Sequence, residues 1–298
     1  MGLMILFFVA LLLIVSAGTL GLIYHMQQPK RITYGVVLAH HQPASPSDLG
    51  FEAVEQTIHF EDGTLSPGWI VKGQREGGPT IIVSHGLADS RYGSLIRLHA
   101  FVPLASRVVL YDQRGHGDST AKKTTLTAKE PDDLMHVMNE VDDGTPIVLM
   151  GHSMGAGISM IVAAHEIERN DGHASRIMAV ICEGGYRWPL ETIAGYLRER
   201  GWPVYPFLWL TGWHLSFWLG ITHKSFDRVG YAQRLNCPLL MINGDADTIS
   251  PLASAKEVAA AGAHSKMVVI EGGTHGNLPT TYASQYATEI RSFLENLP

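Results

Sequence analysis

The chain has 298 residues, with 22 Lys and Arg against 28 Asp and Glu, so its formal net charge is −6. This length suits one large domain, or two at most. Hydrophobic residues make up 46% of the chain, which is enough to bury a core and excludes a disordered protein. The absence of a basic excess argues against a nucleic-acid binder. Cys182 and Cys237 lack zinc-site spacing and cannot staple a fold of this size. We expect two buried free thiols.

The first segment is apolar throughout, because residues 2–24 contain no charged side chain. As a helix, residues 3–23 would reach about 31 Å, the thickness of the hydrocarbon layer of a bilayer. A soluble core helix would keep a polar stripe, and a cleavable signal peptide would start with basic residues. We therefore predict a single-pass transmembrane anchor over residues 3–24, with a removed signal peptide as the alternative.

Residues 25–50 contain three prolines and several serines and histidines, a composition typical of a tether. Lys30 and Arg31 follow the anchor, whereas only the α-amine precedes it. Counting positive charges therefore slightly favours the cytoplasmic side for the rest of the chain.

From residue 51 onward, strand-like and helix-like segments alternate. Residues 54–60 alternate apolar and polar side chains, and Asp62-Gly63 is a hairpin signal leading into residues 65–71. Six short apolar runs, typical of strands covered on both faces, follow at 80–83, 107–111, 147–150, 177–181, 238–242 and 266–270. Stretches of helical length are 92–105, 132–141, 156–169, 251–261 and 282–297. We predict an α/β domain over residues 51–298 with a doubly wound, mostly parallel sheet.

The pentapeptide Gly151-His152-Ser153-Met154-Gly155 matches the pattern G-x-S-x-G. It lies between an apolar run and a helix that begins with small residues, which is the context that makes the pattern informative. A strand that reverses sharply into a helix holds its turn residue in a strained conformation with the side chain exposed. The helix N-terminus also directs N–H groups at nearby negative charge. A chance match is the alternative, and the flanking strand and helix disfavour it.

At this point the sequence resembles the α/β-hydrolase superfamily over roughly residues 52–297. Four further landmarks occur in the family's order: Ser84-His85-Gly86-Leu87, the loop 111–119 with its D-x-R-G-x-G-x-S pattern, Asn243-Gly244-Asp245-Ala246-Asp247, and Gly272-Gly273-Thr274-His275-Gly276. The chain is similar to monoacylglycerol-lipase-like and lysophospholipase-like serine hydrolases. The resemblance implies the α/β-hydrolase fold and chemistry at an activated serine.

A serine hydroxyl needs a histidine to take its proton and a carboxylate to orient that histidine. In this fold they occur in the order Ser, Asp, His. The resemblance therefore implies Ser153 as nucleophile, Asp247 as acid and His275 as base. His275 follows an apolar strand in a glycine-rich turn. The family's G-x-x-D spacing from Gly244 selects Asp247 over Asp245, which we expect to shape the turn.

Three other polar residues lie at strand ends without an expected catalytic role. His85 and His152 occupy the oxyanion turn and the nucleophile turn, where relatives use such residues structurally. Asp112 belongs to the Arg-Gly-x-Gly loop, which also indicates a structural role.

By the same resemblance, the oxyanion hole would consist of the backbone N–H groups of Leu87 and Met154. The sequence reads His85-Gly86-Leu87-Ala88 where many esterases have H-G-G-G, which argues against specialisation for bulky or branched esters. The scheme requires no metal ion and no organic cofactor.

The stretch 185–235 lacks a clear strand pattern and holds five of the six tryptophans: Trp188, Trp202, Trp209, Trp213 and Trp218. We predict a short, aromatic-rich helical cap inserted into the domain. Trp209, Trp213 and Phe217 are spaced by four, as on one face of a helix. Three roles stay open for these aromatic residues: an acyl pocket, packing onto the sheet, or contact with the membrane interface.

The leading hypothesis is a membrane-anchored serine hydrolase that acts on a small-molecule carboxylic ester or thioester, with a lipid-derived ester as one option. An amidase, a peptidase, a perhydrolase or an acyltransferase would share every motif. A non-catalytic binding module is the alternative from another class, and such proteins commonly lose a member of the triad. The sequence leaves the oligomeric state open.

Overall fold

The computed structural model describes residues 2–169, 176–205, 207–219 and 226–297. Within them, eight strands form one sheet in the order β1-β2-β4-β3-β5-β6-β7-β8. In chain order the strands are Ala53–His59, Leu65–Lys72, Thr80–Ser84, Arg107–Tyr111, Ile147–His152, Ile177–Glu183, Leu239–Gly244 and Ser265–Ile270.

The sheet is mostly parallel, as predicted. Strand β2 pairs antiparallel with both β1 and β4, and every pairing from β4 through β8 is parallel. Strands β3, β5 and β7 are buried along their whole length, which explains their continuous apolar sequences.

Helices cover both faces of the sheet. In chain order they are α1 Gly2–Gln27, α2 Tyr34–Ala39, α3 Arg91–Ser94, α4 Leu98–Phe101, α5 Glu130–Glu140, α6 Met154–Arg169, α7 Pro189–Glu199, α8 Phe207–Leu219, α9 Arg228–Ala232, α10 Leu252–Ala261, α11 Leu278–Thr281 and α12 Ala283–Glu295. Helices α5, α6, α9 and α10 supply the core on one face, and α3, α4 and α12 supply it on the other. This arrangement confirms the predicted doubly wound fold.

The predicted helix over residues 92–105 is interrupted. Short α-helical and 3₁₀ segments alternate there, with 3₁₀ turns at Leu95–Arg97 and Val102–Leu104. Gly93 is a poor helix former, and Pro103 lacks the N–H that a continuous helix would need.

Both cysteines are free. Cys182 is buried in β6, whereas Cys237 is only half-buried before β7. The expectation of a buried thiol therefore holds for Cys182 and is wrong for Cys237.

Helix α1 is the only helix among the described residues that is long and apolar enough to cross a membrane. Its most apolar window has a mean hydropathy of 2.7, and 6% of that window is buried. The C-terminal part of the helix packs against the rest of the protein: Leu22 is buried with Ile193, Leu197 and Phe226. Helix α1 also packs along α8.

The segment expected to be a tether lies against the domain. It forms α2 and a 3₁₀ turn at Pro46–Leu49, and Val37 is buried in the core beside the sheet. The Arg31 guanidinium donates hydrogen bonds to the carbonyls of Gly117 at 2.9 Å and His116 at 3.1 Å. Arg31 and Val37 therefore find partners on the domain, whereas Tyr34 and Leu38 remain exposed.

The chain between β6 and β7 carries α7, α8 and α9, where the cap was predicted. Residues 206 and 220–225 of the predicted cap, and the Trp218 side chain, lie outside the described residues. Trp209, Trp213 and Phe217 are 81%, 62% and 68% exposed. These three rings therefore do not pack the cap onto the sheet. Of the three predicted roles, an acyl pocket and contact with the membrane interface stay open for them.

Candidate active site

Ser153 lies in the turn between β5 and α6, with a left-handed φ of 52°. The flanking glycines make this turn possible. A Cβ at Gly151 would lie 2.1 Å from the backbone of Gly155, and a Cβ at Gly155 would lie 2.0 Å from the Ser84 carbonyl oxygen. The backbone N–H of Ser153 donates to the Glu183 carbonyl at 2.9 Å. The turn thus has the strained, closely packed backbone that the pattern predicted.

The loops after β7 and β8 meet at the same edge of the sheet, because the carboxyl ends of parallel strands lie together. A Cβ at Gly244 would lie 2.0 Å from the Gly273 carbonyl oxygen, so the two loops are in backbone contact. The Asp245 carboxylate accepts a hydrogen bond from the Gly272 N–H at 2.7 Å. Asp245 therefore joins the two loops, as expected of a residue that shapes the turn.

The structure brings the three predicted residues into one hydrogen-bonded chain. His275 Nδ1 lies 2.8 Å from Asp247 Oδ2, and His275 Nε2 lies 2.8 Å from Ser153 Oγ. The Asp247 side chain is 1% exposed, and that of His275 is 21% exposed. The carboxylate is thus shielded, while the imidazole stays open toward the serine.

The Asp247 carboxylate is fixed by its own loop. Its Oδ1 accepts the N–H groups of Ile249 and Ser250, both at 2.8 Å, which directs Oδ2 at His275. A carboxylate oxygen is an acceptor, so Nδ1 of His275 carries the proton and Nε2 is left to accept the Ser153 hydroxyl. This is the tautomer that a base acting on Ser153 needs.

Leu87 and Met154, the predicted oxyanion donors, line one small cavity together with Ser153. The cavity has a volume of about 60 Å³. Met154 is the first residue of α6, and N–H groups in the first turn of a helix have no partner within the helix. Met26, from the last turn of α1, lines the same cavity. No pattern in the sequence indicated that contact.

His85 supports the turn that carries Leu87. Its Nε2 accepts the backbone N–H of Gln113 at 3.0 Å, so its Nδ1 donates to the Gly86 carbonyl at 2.8 Å. Burial lowers the pKa of His85 to about 4. The residue is therefore neutral and has both ring nitrogens engaged, which agrees with a structural role.

His152 connects the nucleophile turn to the loop of His275. Its Nε2 donates to the His275 carbonyl oxygen at 2.9 Å. Burial lowers the pKa of His152 to about 4, so its ring is neutral. His152 therefore holds the backbone of His275. It takes no part in the hydrogen bonds from Asp247 through the His275 ring to Ser153.

A buried ionic network behind the nucleophile was missed from the sequence. Glu183 accepts hydrogen bonds from Arg97 at 2.8 and 2.7 Å and from the Tyr286 hydroxyl at 2.7 Å. Burial alone would raise the pKa of Glu183, but the charge and hydrogen bonds of Arg97 outweigh it and lower the pKa to about 2. The network could have been predicted from Glu183, because this carboxylate directly follows the apolar residues of β6.

Asp112 has the structural surroundings that its loop motif indicated. Its carboxylate accepts the backbone N–H groups of Arg91 and Asp118, each at 2.8 Å, and pairs with the Arg91 guanidinium. The side chain is fully buried. It ties the loop after β4 to the start of α3.

Across the parts of the chain that the structure describes, no three His, Cys, Asp or Glu side chains are grouped so that they could hold a metal ion.

This sheet order, with a serine turn after β5 and His and Asp loops after β8 and β7, defines the α/β-hydrolase class of proteins. The chain belongs to the alpha/beta hydrolase family, whose model matches residues 81–289. The family match covers most of the domain and includes Ser153, Asp247 and His275.

Of two relatives, one is named as a lipase and the other is an uncharacterized protein. The chain is 28% identical over 225 residues to the uncharacterized protein YqkD of Bacillus subtilis, covering 73% of this chain and 72% of that protein. It is 26% identical over 190 residues to the lysophosphatidylserine lipase ABHD12 of Xenopus tropicalis, covering 60% of this chain and 46% of the lipase. The match thus spans less than half of that lipase.

Among solved structures, the esterase Pf2001 of Pyrococcus furiosus superposes with a TM-score of 0.68 at 20% identity. The superposition covers 92% of this chain and 98% of the esterase. At this identity the likeness establishes the fold. Together with the family match, it supports an enzyme of the ester-hydrolase kind.

Proposed function

We propose that this protein is a membrane-anchored serine hydrolase that cleaves carboxylic esters or thioesters through an acyl-serine intermediate. The observation that carries the proposal is the hydrogen-bonded chain from Asp247 through His275 to Ser153, with both contacts at 2.8 Å. A hydroxyl, an imidazole and a buried carboxylate in this order are the parts that nucleophilic acyl transfer needs.

In the first half-reaction, Ser153 Oγ attacks the carbonyl carbon, and its proton passes to His275 Nε2. The carbonyl oxygen becomes an oxyanion, which the N–H groups of Leu87 and Met154 would stabilise. Each such donor typically contributes about 3–4 kcal/mol at the transition state. His275 then gives the proton to the leaving alcohol or thiol, and the acyl group stays on Ser153.

In the second half-reaction, His275 takes a proton from water, which attacks the acyl-serine. Collapse of the second tetrahedral intermediate returns the proton to Ser153 and releases the carboxylic acid. Asp247 stabilises the imidazolium that forms in both halves. Every proton in this scheme moves between groups that the described residues or the substrate supply.

The proposal includes a division of the chain into an anchor, a connecting segment and a hydrolase domain. Residues 3–24 anchor the chain in a bilayer, residues 25–50 connect the anchor to the domain, and residues 51–298 form the hydrolase domain with its cap over 185–235. The anchor and the exposed tryptophans of α8 favour a lipid-derived ester as substrate. A cytoplasmic domain keeps the slight preference given by Lys30 and Arg31.

The test is labelling with a fluorophosphonate, whose fluoride an activated serine displaces. Detergent-solubilised wild-type protein should be labelled, and the variant Ser153→Ala should not. The variant Ser159→Ala, which removes a buried hydroxyl of α6, is the matched control and should be labelled like wild type. Absence of labelling in folded wild-type protein would refute the proposal and favour a binding module. A panel of esters, thioesters and amides would then separate the esterase from an amidase.

A further inference from the structure

The cavity at Ser153 is too small for an ester with a long acyl chain. Its volume of about 60 Å³ lies well below the range of about 300–1,000 Å³ typical of small-molecule sites. This space accommodates the carbonyl group of an ester but not a long acyl chain. The chain must therefore extend into another space.

A much larger apolar groove lies between the anchor and the cap, with a volume of about 830 Å³. This size falls within the range of about 300–1,000 Å³ typical of small-molecule sites. Helix α8 supplies most of its lining residues, and α1 supplies two. Its lining includes Leu12 and Ser16 of α1, Leu190 of α7, Trp209 and Trp213 of α8, and Phe226.

Phe226 is common to the two spaces, because it lines both the cavity at Ser153 and the groove. Its backbone is fixed: the Phe226 carbonyl accepts a hydrogen bond from Arg228 at 3.1 Å. The neighbouring Asp227 carboxylate pairs with Arg187 at 2.9 Å. Rotation of the Phe226 ring would thus join the two spaces without moving the backbone.

The groove meets α1 at Leu12 and Ser16, which lie within its apolar stretch. Met26 lines the cavity at Ser153, and Leu12 lines the groove. The two residues are 14 positions apart, or about 21 Å along the helix axis at 1.5 Å per residue. With residues 3–24 in the bilayer, Leu12 and Ser16 lie at the depth of the hydrocarbon tails.

We propose that the groove between α1 and α8 is the acyl-chain site for an ester of a long, unbranched carboxylic acid taken directly from the bilayer. Phe226 is the specificity-determining residue between this groove and Ser153. The inference rests on the proposed serine-hydrolase function and deepens it: the anchor helix forms one wall of the substrate site.

The first test fills the groove. Ser16→Phe places a ring in the groove, and Ile14→Phe places the same ring on an exposed part of α1 that does not line it. We expect Ser16→Phe to lower kcat/KM for a hexadecanoyl ester by about tenfold or more and to leave a butanoyl ester unchanged. Ile14→Phe should change neither. Phe226→Leu should raise the ratio of hexadecanoyl to butanoyl turnover, because a smaller side chain separates the two spaces.

The second test locates the chain in the wild-type protein. A fluorophosphonate with a long alkyl chain and a terminal diazirine should label Ser153 in proteoliposomes. Illumination should then attach the chain end to peptides of α1 or α8, as read by mass spectrometry. This measurement does not depend on whether Ser16→Phe disturbs helix packing.

The outcomes separate the two proposals. Cross-links outside α1 and α8, or equal losses for long and short esters in Ser16→Phe, would overturn the acyl-chain site and leave the hydrolase intact. Wild-type protein without labelling at Ser153 and without turnover of any ester would overturn the proposed function, and the acyl-chain site with it.

Discussion

The edge of the sheet and the region where the cap meets the anchor are held together in different ways. At the sheet edge, the glycines of the loops approach neighbouring backbone so closely that a Cβ would not fit. A buried Arg97–Glu183 pair also holds this edge in place. Between α1 and the cap, the buried contacts of Leu22, Ile193 and Phe226 are apolar, and the outer surface of α8 is exposed and aromatic. The comparison indicates that the chemistry is set by rigid turns, while access to it is set by apolar helices, one of which is long and apolar enough to cross a membrane.

The largest effect is expected from changing the carboxylate that orients His275, because this tests whether the turns at the sheet edge set the chemistry. Asp247→Asn keeps the side-chain shape but favours the wrong tautomer of His275, so kcat should fall by about 10⁴-fold. Asp245→Asn, on the same loop, serves as control and should lose less than about tenfold, since it only joins the two loops. Ester turnover of both variants gives the answer, and equal losses would mean that Asp247 merely shapes its loop.

The rigidity of the sheet edge depends on the ionic network behind Ser153. Glu183→Gln leaves the buried Arg97 guanidinium without its countercharge and should lower the free energy of unfolding by about 3–5 kcal/mol. Glu295→Gln breaks an exposed pair with Arg291 and should cost less than about 1 kcal/mol. Denaturant unfolding in detergent measures both variants. A small effect of Glu183→Gln would show that the network is not needed for stability.

Acid should weaken the sheet edge through its buried histidines. The pKa of His85 is lowered to about 4 in the folded protein, below its ordinary value of about 6.5. The unfolded chain therefore binds a proton first as the pH falls, and stability present above pH 6.5 is lost toward pH 4, by about 3 kcal/mol.

The measurement is the unfolding free energy of wild type and of His85→Gln between pH 7 and pH 4.5. The variant lacks the titrating group, so its stability should fall less steeply over this range. Parallel curves would contradict the neutral, buried state of His85.

The smallest effect on stability is expected at the exposed tryptophans of α8. Trp213→Phe should change the free energy of unfolding by less than about 0.5 kcal/mol, since the ring is exposed. In proteoliposomes it should nevertheless reduce the quenching of tryptophan fluorescence by brominated acyl chains. Trp69→Phe, at a buried position beside Tyr92, controls for the loss of one tryptophan. Equal quenching in both variants would place α8 outside the bilayer.

The sheet and the positions of the three site residues were predictable because each depends on a local pattern. Short apolar runs marked the strands, and a glycine-flanked turn with a fixed chain order marked Ser153, Asp247 and His275. Such patterns can be recognised in a sequence for two reasons. Only glycine fits where two backbone segments approach closely, and only apolar side chains fit on a strand that is covered on both faces.

Other features depend on contacts between distant segments, which a single sequence does not reveal. The pairing of Arg97 with Glu183 joins residues 86 positions apart. The contact of Met26 with the Ser153 cavity depends on how α1 packs against α7 and α8. The docking of residues 25–50 likewise required knowing that the loop after β4 presents backbone carbonyls to Arg31.

The docking of the anchor has a practical consequence for anyone who prepares this enzyme. The Gln27 carbonyl accepts a hydrogen bond from Thr124 at 2.9 Å, and Met26 closes one side of the Ser153 cavity. A shortened protein that lacks residues 1–27 would gain solubility but would open that side and uncover Ile193 and Phe226. Its preference among water-soluble esters would then describe a wider pocket than that of the full chain.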